Sequence, residues 1–221
     1  MGAASAATEA NSIAIDGSGN LWVTGDTEGS LDGHALTGTK DVFLIKFNSL
    51  GIKQWTLLKG VANKWASGRA VTTDRTGHIW VTGVTTGALD AVEYNTMTGI
   101  RDLFLFKFNS AGVKQSTTLV GAVGASTYPT AIATDSDGDA FVTGYTDGDF
   151  DGHTLTGPRG LFLIKFDKLV GVKGKSTLLS VTGKEASAHG IVVDSNDYVW
   201  VTGWTNGNLD GQSLAGRRDI V

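Results

Sequence analysis

Four times along the chain a short apolar run closing on Asp is followed by a polar turn and then by an apolar strand ending in Thr-Gly. The first runs span residues 13–16, 71–74, 132–135 and 191–194, and the second are Leu21-Trp22-Val23-Thr24-Gly25, then residues 79–83 (IWVTG), 140–144 (AFVTG) and 199–203 (VWVTG). Between them stand Gly17-Ser18-Gly19-Asn20 in the first copy and Ser136-Asp137-Gly138-Asp139 in the third. Two short strands joined by Gly and Asp or Asn read as a β-hairpin. After each Thr-Gly comes a long polar stretch and then a third strand at residues 42–47 (VFLIKF), 103–108 (LFLFKF) and 161–166 (LFLIKF). Turns such as Asn48-Ser49-Leu50-Gly51 lead to a fourth strand at residues 53–58, 114–120 and 173–180. The second and third strands are apolar on both faces, the pattern of a sheet sandwiched between two others.

The copies recur every 58 to 61 residues. A period of that size dictates an architecture of stacked units, because one four-stranded meander cannot bury both its faces alone. The sequence therefore predicts an all-β β-propeller of four-stranded antiparallel blades: a flexible segment at 1–8, blades at 9–60, 61–121 and 122–182, and a partial blade at 183–221. In copy four the chain reaches Asp219-Ile220-Val221, where Asp41-Val42-Phe43 opens the third strand of copy one. A piece of a longer repeat array with one exposed sheet edge is expected, and ring closure by self-association is the alternative. The stretches IAIDGSGNLWVTG and LDGHALTGTKDVFLIKFNSLGIKQWT resemble the bacterial β-propeller repeat family called SBBP, from Glu9 to Val221. The resemblance implies the propeller fold and an extracellular or cell-surface setting, and by itself implies no activity.

Composition narrows the classes. Gly supplies 31 of 221 residues and Pro only 2, which suits many tight turns. A net charge of −4 without a long basic run argues against nucleic acid as a partner. There is no cysteine, hence no disulfide and no thiolate chemistry. The first eight residues lack the charged and apolar regions of a signal peptide, and no apolar run is long enough to insert in a membrane. Nucleophile-elbow, zinc-protease, phosphate-loop and dinucleotide motifs are missing.

Candidate chemistry lies in the loops. Asn11, Arg69, Thr130 and His189 occupy one position, read as just before the first strand of each blade at the mouth of the central channel. With Tyr128, Trp65, His34 and His153 from neighbouring loops they form a candidate site for a small ligand or glycan, or else are solvated loop residues. Asp147, Asp149 and Asp151 alternate along a D-x-D-x-D-G run that could converge on calcium. The acidic twelfth position of an EF-hand is absent, Pro158 standing there, and turn-shaping Asp residues are the default reading. The cluster Asp135 to Asp139 aligns with the hairpin turns and is read as one of them. Trp22, Trp80 and Trp200, with Phe141, are read as core between blades. Lys46, Lys107 and Lys165 sit inside the third strands and must reach a carboxylate or the rim.

The expectation is a non-enzymatic binding or scaffold module for a glycan or a protein, with no required cofactor and calcium as an option. Its rivals are a carbohydrate hydrolase or lyase working through Asp147, Asp149, Asp151 and His189, and a spacer.

Overall fold

The computed structural model describes residues 2–90, 96–169, 171–209 and 211–220. It holds four antiparallel sheets in chain order. Blade one is β1 (Thr8–Ile15), β2 (Leu21–Thr27), β3 (Asp41–Phe47) and β4 (Lys53–Lys59). Blade two is β5 (Ala66–Thr73), β6 (Ile79–Thr85), β7 (Asp102–Phe108) and β8 (Lys114–Val120). Blade three is β9 (Thr127–Thr134), β10 (Ala140–Thr146), β11 (Gly160–Phe166) and β12 (Lys173–Leu179). Blade four is β13 (Ala186–Val193), β14 (Val199–Thr205) and the two-residue β15 (Asp219–Ile220), which opens a third strand. The protein is all-β and its sheets are propeller blades.

Each repeated residue has a local reason. The Asp closing the first strand folds the hairpin turn: Asp16 Oδ1 accepts the N–H groups of Ser18 and Asn20 at 2.9 Å, and Asp74 does the same for Thr76 and His78. Burial pushes the Asp74 carboxyl up, but these bonds outweigh it and hold the group below its ordinary range. The Thr of Val-Thr-Gly is buried and donates to the facing third strand, Thr24 to Phe43 O at 2.8 Å, Thr82 to Phe104 O at 2.9 Å and Thr143 to Phe162 O at 2.7 Å. A hydroxyl sealed from water must be paired in this way.

The core lies between blades. Trp22, Val42 and Leu44 of blade one pack on Ile79, Val81, Phe106 and Phe108 of blade two. Trp80, Leu103 and Leu105 on the opposite face of blade two meet Val142, Ile164 and Phe166 of blade three. Leu161 of blade three meets Ala186, Ala188 and Val201 of blade four. The expected tryptophan core holds for Trp22 and Trp80, both fully buried, and fails for Trp200, which is 61% exposed because no described blade covers that face. Phe141 is half-buried.

The first strands needed the largest correction. They begin about five residues earlier than the apolar runs, at Thr8, Ala66, Thr127 and Ala186. Their leading halves carry small or polar residues and so lie outside the apolar runs, and β1, β5, β9 and β13 are neighbouring inner strands of the arc. Residues 2–7 lie against blade one: the Ala3 N–H donates to Thr8 Oγ1 at 3.1 Å, and a Cβ on Gly29 would meet Ala3 and Ala6.

Candidate ligand-binding site

Every first strand is broken at one place by a β-bulge. The register slips between Ala10 and Ser12, Gly68 and Ala70, Pro129 and Ala131, and Ala188 and Gly190. The extra residues are Asn11, Arg69, Thr130 and His189. These four therefore belong to the inner strands and do not precede them, and a bulge turns its extra side chain out of the ladder. Opposite each bulge stands the Gly of Val-Thr-Gly. A Cβ on Gly25, Gly83, Gly144 or Gly203 would run into the carbonyl of Glu9, Ser67, Tyr128 or Ser187. The repeated glycine is thus what permits the bulge.

Two bulge side chains tie neighbouring blades together. Asn11 Nδ2 donates to Gly68 O at 2.8 Å, and Thr130 Oγ1 donates to Ala188 O at 3.0 Å. Asn11, Arg69, Thr130, Tyr128, Pro129 and Tyr145 line one open cavity of about 370 Å³. Four of the expected ligand residues are gathered there. Trp65 lines an adjoining cavity of about 410 Å³ that shares Arg69 and is otherwise bordered by Glu9, Asp26, Glu28 and Lys40. The other three stand apart. His189 carries the fourth bulge and is exposed, but does not line this cavity. His153 borders a separate cavity with Asp149 and Asp151. His34 closes a small loop through backbone bonds with Leu31.

Around the cavity runs a ladder that the repeat pattern did not single out. The Arg101 guanidinium lies 5.8 Å from the centroid of Trp65 and 5.7 Å from that of Tyr128. Tyr128 stacks on Tyr145 at 5.0 Å, and Arg159 sits 4.2 Å over Tyr145. Arg218 repeats the pairing on Trp204 at 4.0 Å. Burial pushes the Tyr145 phenol up and Arg159 draws it partly back. Arg101, Arg159 and Tyr145 escaped the sequence reading because Lys40 and Asp26 fill the equivalent slots in blade one. There Lys40 is ion-paired to Asp26 at 2.8 Å and to Glu28 at 3.4 Å.

The D-x-D-x-D carboxylates do not converge. Asp147 Oδ1 accepts the Ser126 N–H at 2.5 Å, Asp149 Oδ1 accepts the Leu155 N–H at 2.8 Å, and Asp151 pairs with Lys173 at 2.5 Å and accepts from Ser176. Other copies fill the same roles with other oxygens: Asn206 for Glu185 N–H at 2.7 Å, Asn208 for Leu214 N–H at 2.8 Å, and Asp32 and Asp90 for Lys53 and Lys114. Asp32, Asp90 and Asp151 share a positive φ of 52° to 54°, a tight-turn conformation. Asp210 lies outside the described residues. Among the described residues no group of three or more His, Asp or Glu side chains is placed to hold a metal ion.

The strand lysines take two routes. Lys165 reaches Asp139 at 2.8 Å and Asp135 at 3.4 Å. Lys46 and Lys107 instead lie 4.9 Å over the rings of Trp22 and Trp80. Lys107 also donates to the Lys168 carbonyl, and burial draws its ammonium down. An indole face in place of a carboxylate was the missing partner.

A family model described as a beta-propeller repeat, SBBP, matches residues 1–32, 117–151 and 175–210. Over those three stretches the chain is similar to β-propeller repeats of this family. Each of the last two matched repeats runs from an outer strand through the hairpin of the next blade, so it spans the bulge and its glycine. No curated protein matches the chain.

Proposed function

We propose that these propeller repeats form a non-enzymatic binding module, displayed outside the cytoplasm, that holds a glycan on the rim lined by its inner-strand bulges. The observation that carries the reading is the cavity between Asn11, Arg69, Thr130, Tyr128 and Tyr145, where four separately encoded segments bring amide, guanidinium, hydroxyl and phenol groups to one open hollow. Pro129 is its one aliphatic ring. Hydrogen-bonding groups around a shallow, solvent-open site suit a hydroxyl-rich ligand better than an apolar one. The loop carboxylates support a binding role over hydrolysis, since Asp147, Asp149 and Asp151 each carry a turn or a neighbouring lysine.

A glycan array probed with the purified chain, with calcium and again with chelator, tests this. Binding that persists in chelator and falls when Tyr128→Ala and Thr130→Ala are combined is the expected result. No glycan bound under either condition overturns it in favour of a protein ligand or a spacer.

A further inference from the structure

The chain is acidic overall, yet its arginines are distributed unlike its other charges. The ion pairs among the described residues are made by lysines, and the His78 ring lies 3.1 Å from Asp74. No arginine is ion-paired to a described carboxylate. Arg69, Arg101, Arg159 and Arg218 stand on the rim of blades two to four, Arg69 in the bulge and the others immediately before the third strands or their equivalent. Arg101 donates through Nη1 to Ser126 Oγ at 3.3 Å, while its Nε is buried with no hydrogen-bond partner among the described residues.

Aromatic faces hold three of these guanidinium groups, those of Arg101, Arg159 and Arg218, while Arg69 stands exposed in its bulge. Trp65, Tyr128 and Tyr145 present rings to Arg101 and Arg159, so the rings are occupied and the N–H edges remain for a ligand. A planar cation held by stacking and left without a carboxylate is a pre-organised receptor for a carboxylate or a similar oxyanion, which it meets with two parallel hydrogen bonds. The nearby carboxylates are committed elsewhere: Asp26 and Glu28 to Lys40, and Asp147 to the Ser126 N–H. Glu9 and Glu185 are the other acidic groups on this side.

We infer that the rim selects acidic glycans, whose sugar rings carry carboxylate groups, over neutral ones. This rests on the glycan reading above and adds the charge. The hydroxyls of a uronic-acid chain would meet Asn11 and Thr130 in the cavity while its carboxylates meet Arg69 and the stacked arginines.

The test is calorimetric titration with oligogalacturonate and with alginate oligosaccharides, each beside its carboxyl-reduced neutral counterpart. Poly-glutamate serves as a non-glycan polyanion. An acidic oligosaccharide is expected to bind roughly ten- to hundredfold more tightly than its neutral form, the weight of one or two charge-assisted hydrogen bonds. Arg69→Ala and Arg101→Ala should erase that preference, and Arg75→Ala, on a hairpin turn away from this rim, should keep it. Melting curves of all three variants separate lost binding from lost folding, and exposed Arg69 keeps the test valid if Arg101→Ala unfolds. Equal affinity for acid and neutral forms overturns the charge inference and leaves the glycan reading standing. So does equal loss in Arg75→Ala, which points to diffuse charge. Poly-glutamate binding as tightly as the uronates overturns the assignment to sugars. Binding of no uronate overturns this inference, and the array then decides the broader reading separately.

Discussion

Trp22, Trp80 and Trp200 occupy one slot of the repeat, yet they differ in what stands across from them. Trp80 is fully enclosed between blades two and three, and Trp200 is 61% exposed. Trp80→Ala is expected to cost about 3–5 kcal/mol, and Trp200→Ala about 1 kcal/mol or less, in urea unfolding. Equal costs would mean that the Trp200 face is covered in solution. The glycine opposite the bulge makes a second contrast. A Cβ at Gly83 would strike the Ser67 carbonyl and the Phe104 ring, so Gly83→Ala should destabilise by about 1–3 kcal/mol, while Arg69→Ala, two residues along the bulge from Ser67, should stay within about 0.5 kcal/mol.

The loops between second and third strands behave as elements with their own internal bonding. Asp149→Asn preserves the acceptor for Leu155 N–H, as Asn208 does for Leu214, and is expected to be nearly neutral. Asp149→Ala loses one hydrogen bond, about 1 kcal/mol. Millimolar calcium or a chelator should leave the melting temperature unchanged, and a calcium-dependent rise would show that the three carboxylates can be drawn together. Asp90 shows how such a loop fastens two blades. It takes Lys59 from blade one and Lys114 and Thr117 from blade two. Burial pushes its carboxyl up, but these partners prevail and lower it from 3.8 to about 2. A depressed folded pKa adds stability that is present above the unfolded value and lost as pH falls through about 2. Asp90→Asn should therefore flatten the fall of melting temperature between pH of about 4 and 2. Asp102 works in the opposite sense: burial raises its carboxyl against the N–H groups of Thr98 and Gly99, so it subtracts stability as pH rises through its titration range.

Across the described residues the blades form an arc in which each makes its main contacts with its neighbours. Blade two is covered on both faces, and every residue of β6 and β7 is buried. Blade one leaves Ile13 and Ile15 more than half exposed, and blade four does the same with Val192 and Trp200. In such a stack stability is a sum of blade and interface contributions. Hydrogen exchange should be slowest in β6, β7, β10 and β11 and fastest in β13 to β15, as expected where few apolar contacts protect the ladder. Uniform protection from β1 to β15 would show that the open faces are closed by association.

The meander and its turns were legible in the sequence because each depends on residues close along the chain and is written three or four times. The Asp-bounded hairpins and the Val-Thr-Gly strands are of that kind. The bulge was not legible, since Asn11, Arg69, Thr130 and His189 read as loop until pairing with the next strand revealed the extra residue. Neither was the fate of each tryptophan, which depends on whether another blade lies across from it. The arginine ladder was hidden for a further reason. Trp65 and Tyr128 read only as separate loop residues, the slot of Arg101 and Arg159 holds Lys40 in copy one and that of Tyr145 holds Asp26, and only the stacking of blade two on blade three brings the five within reach of one another.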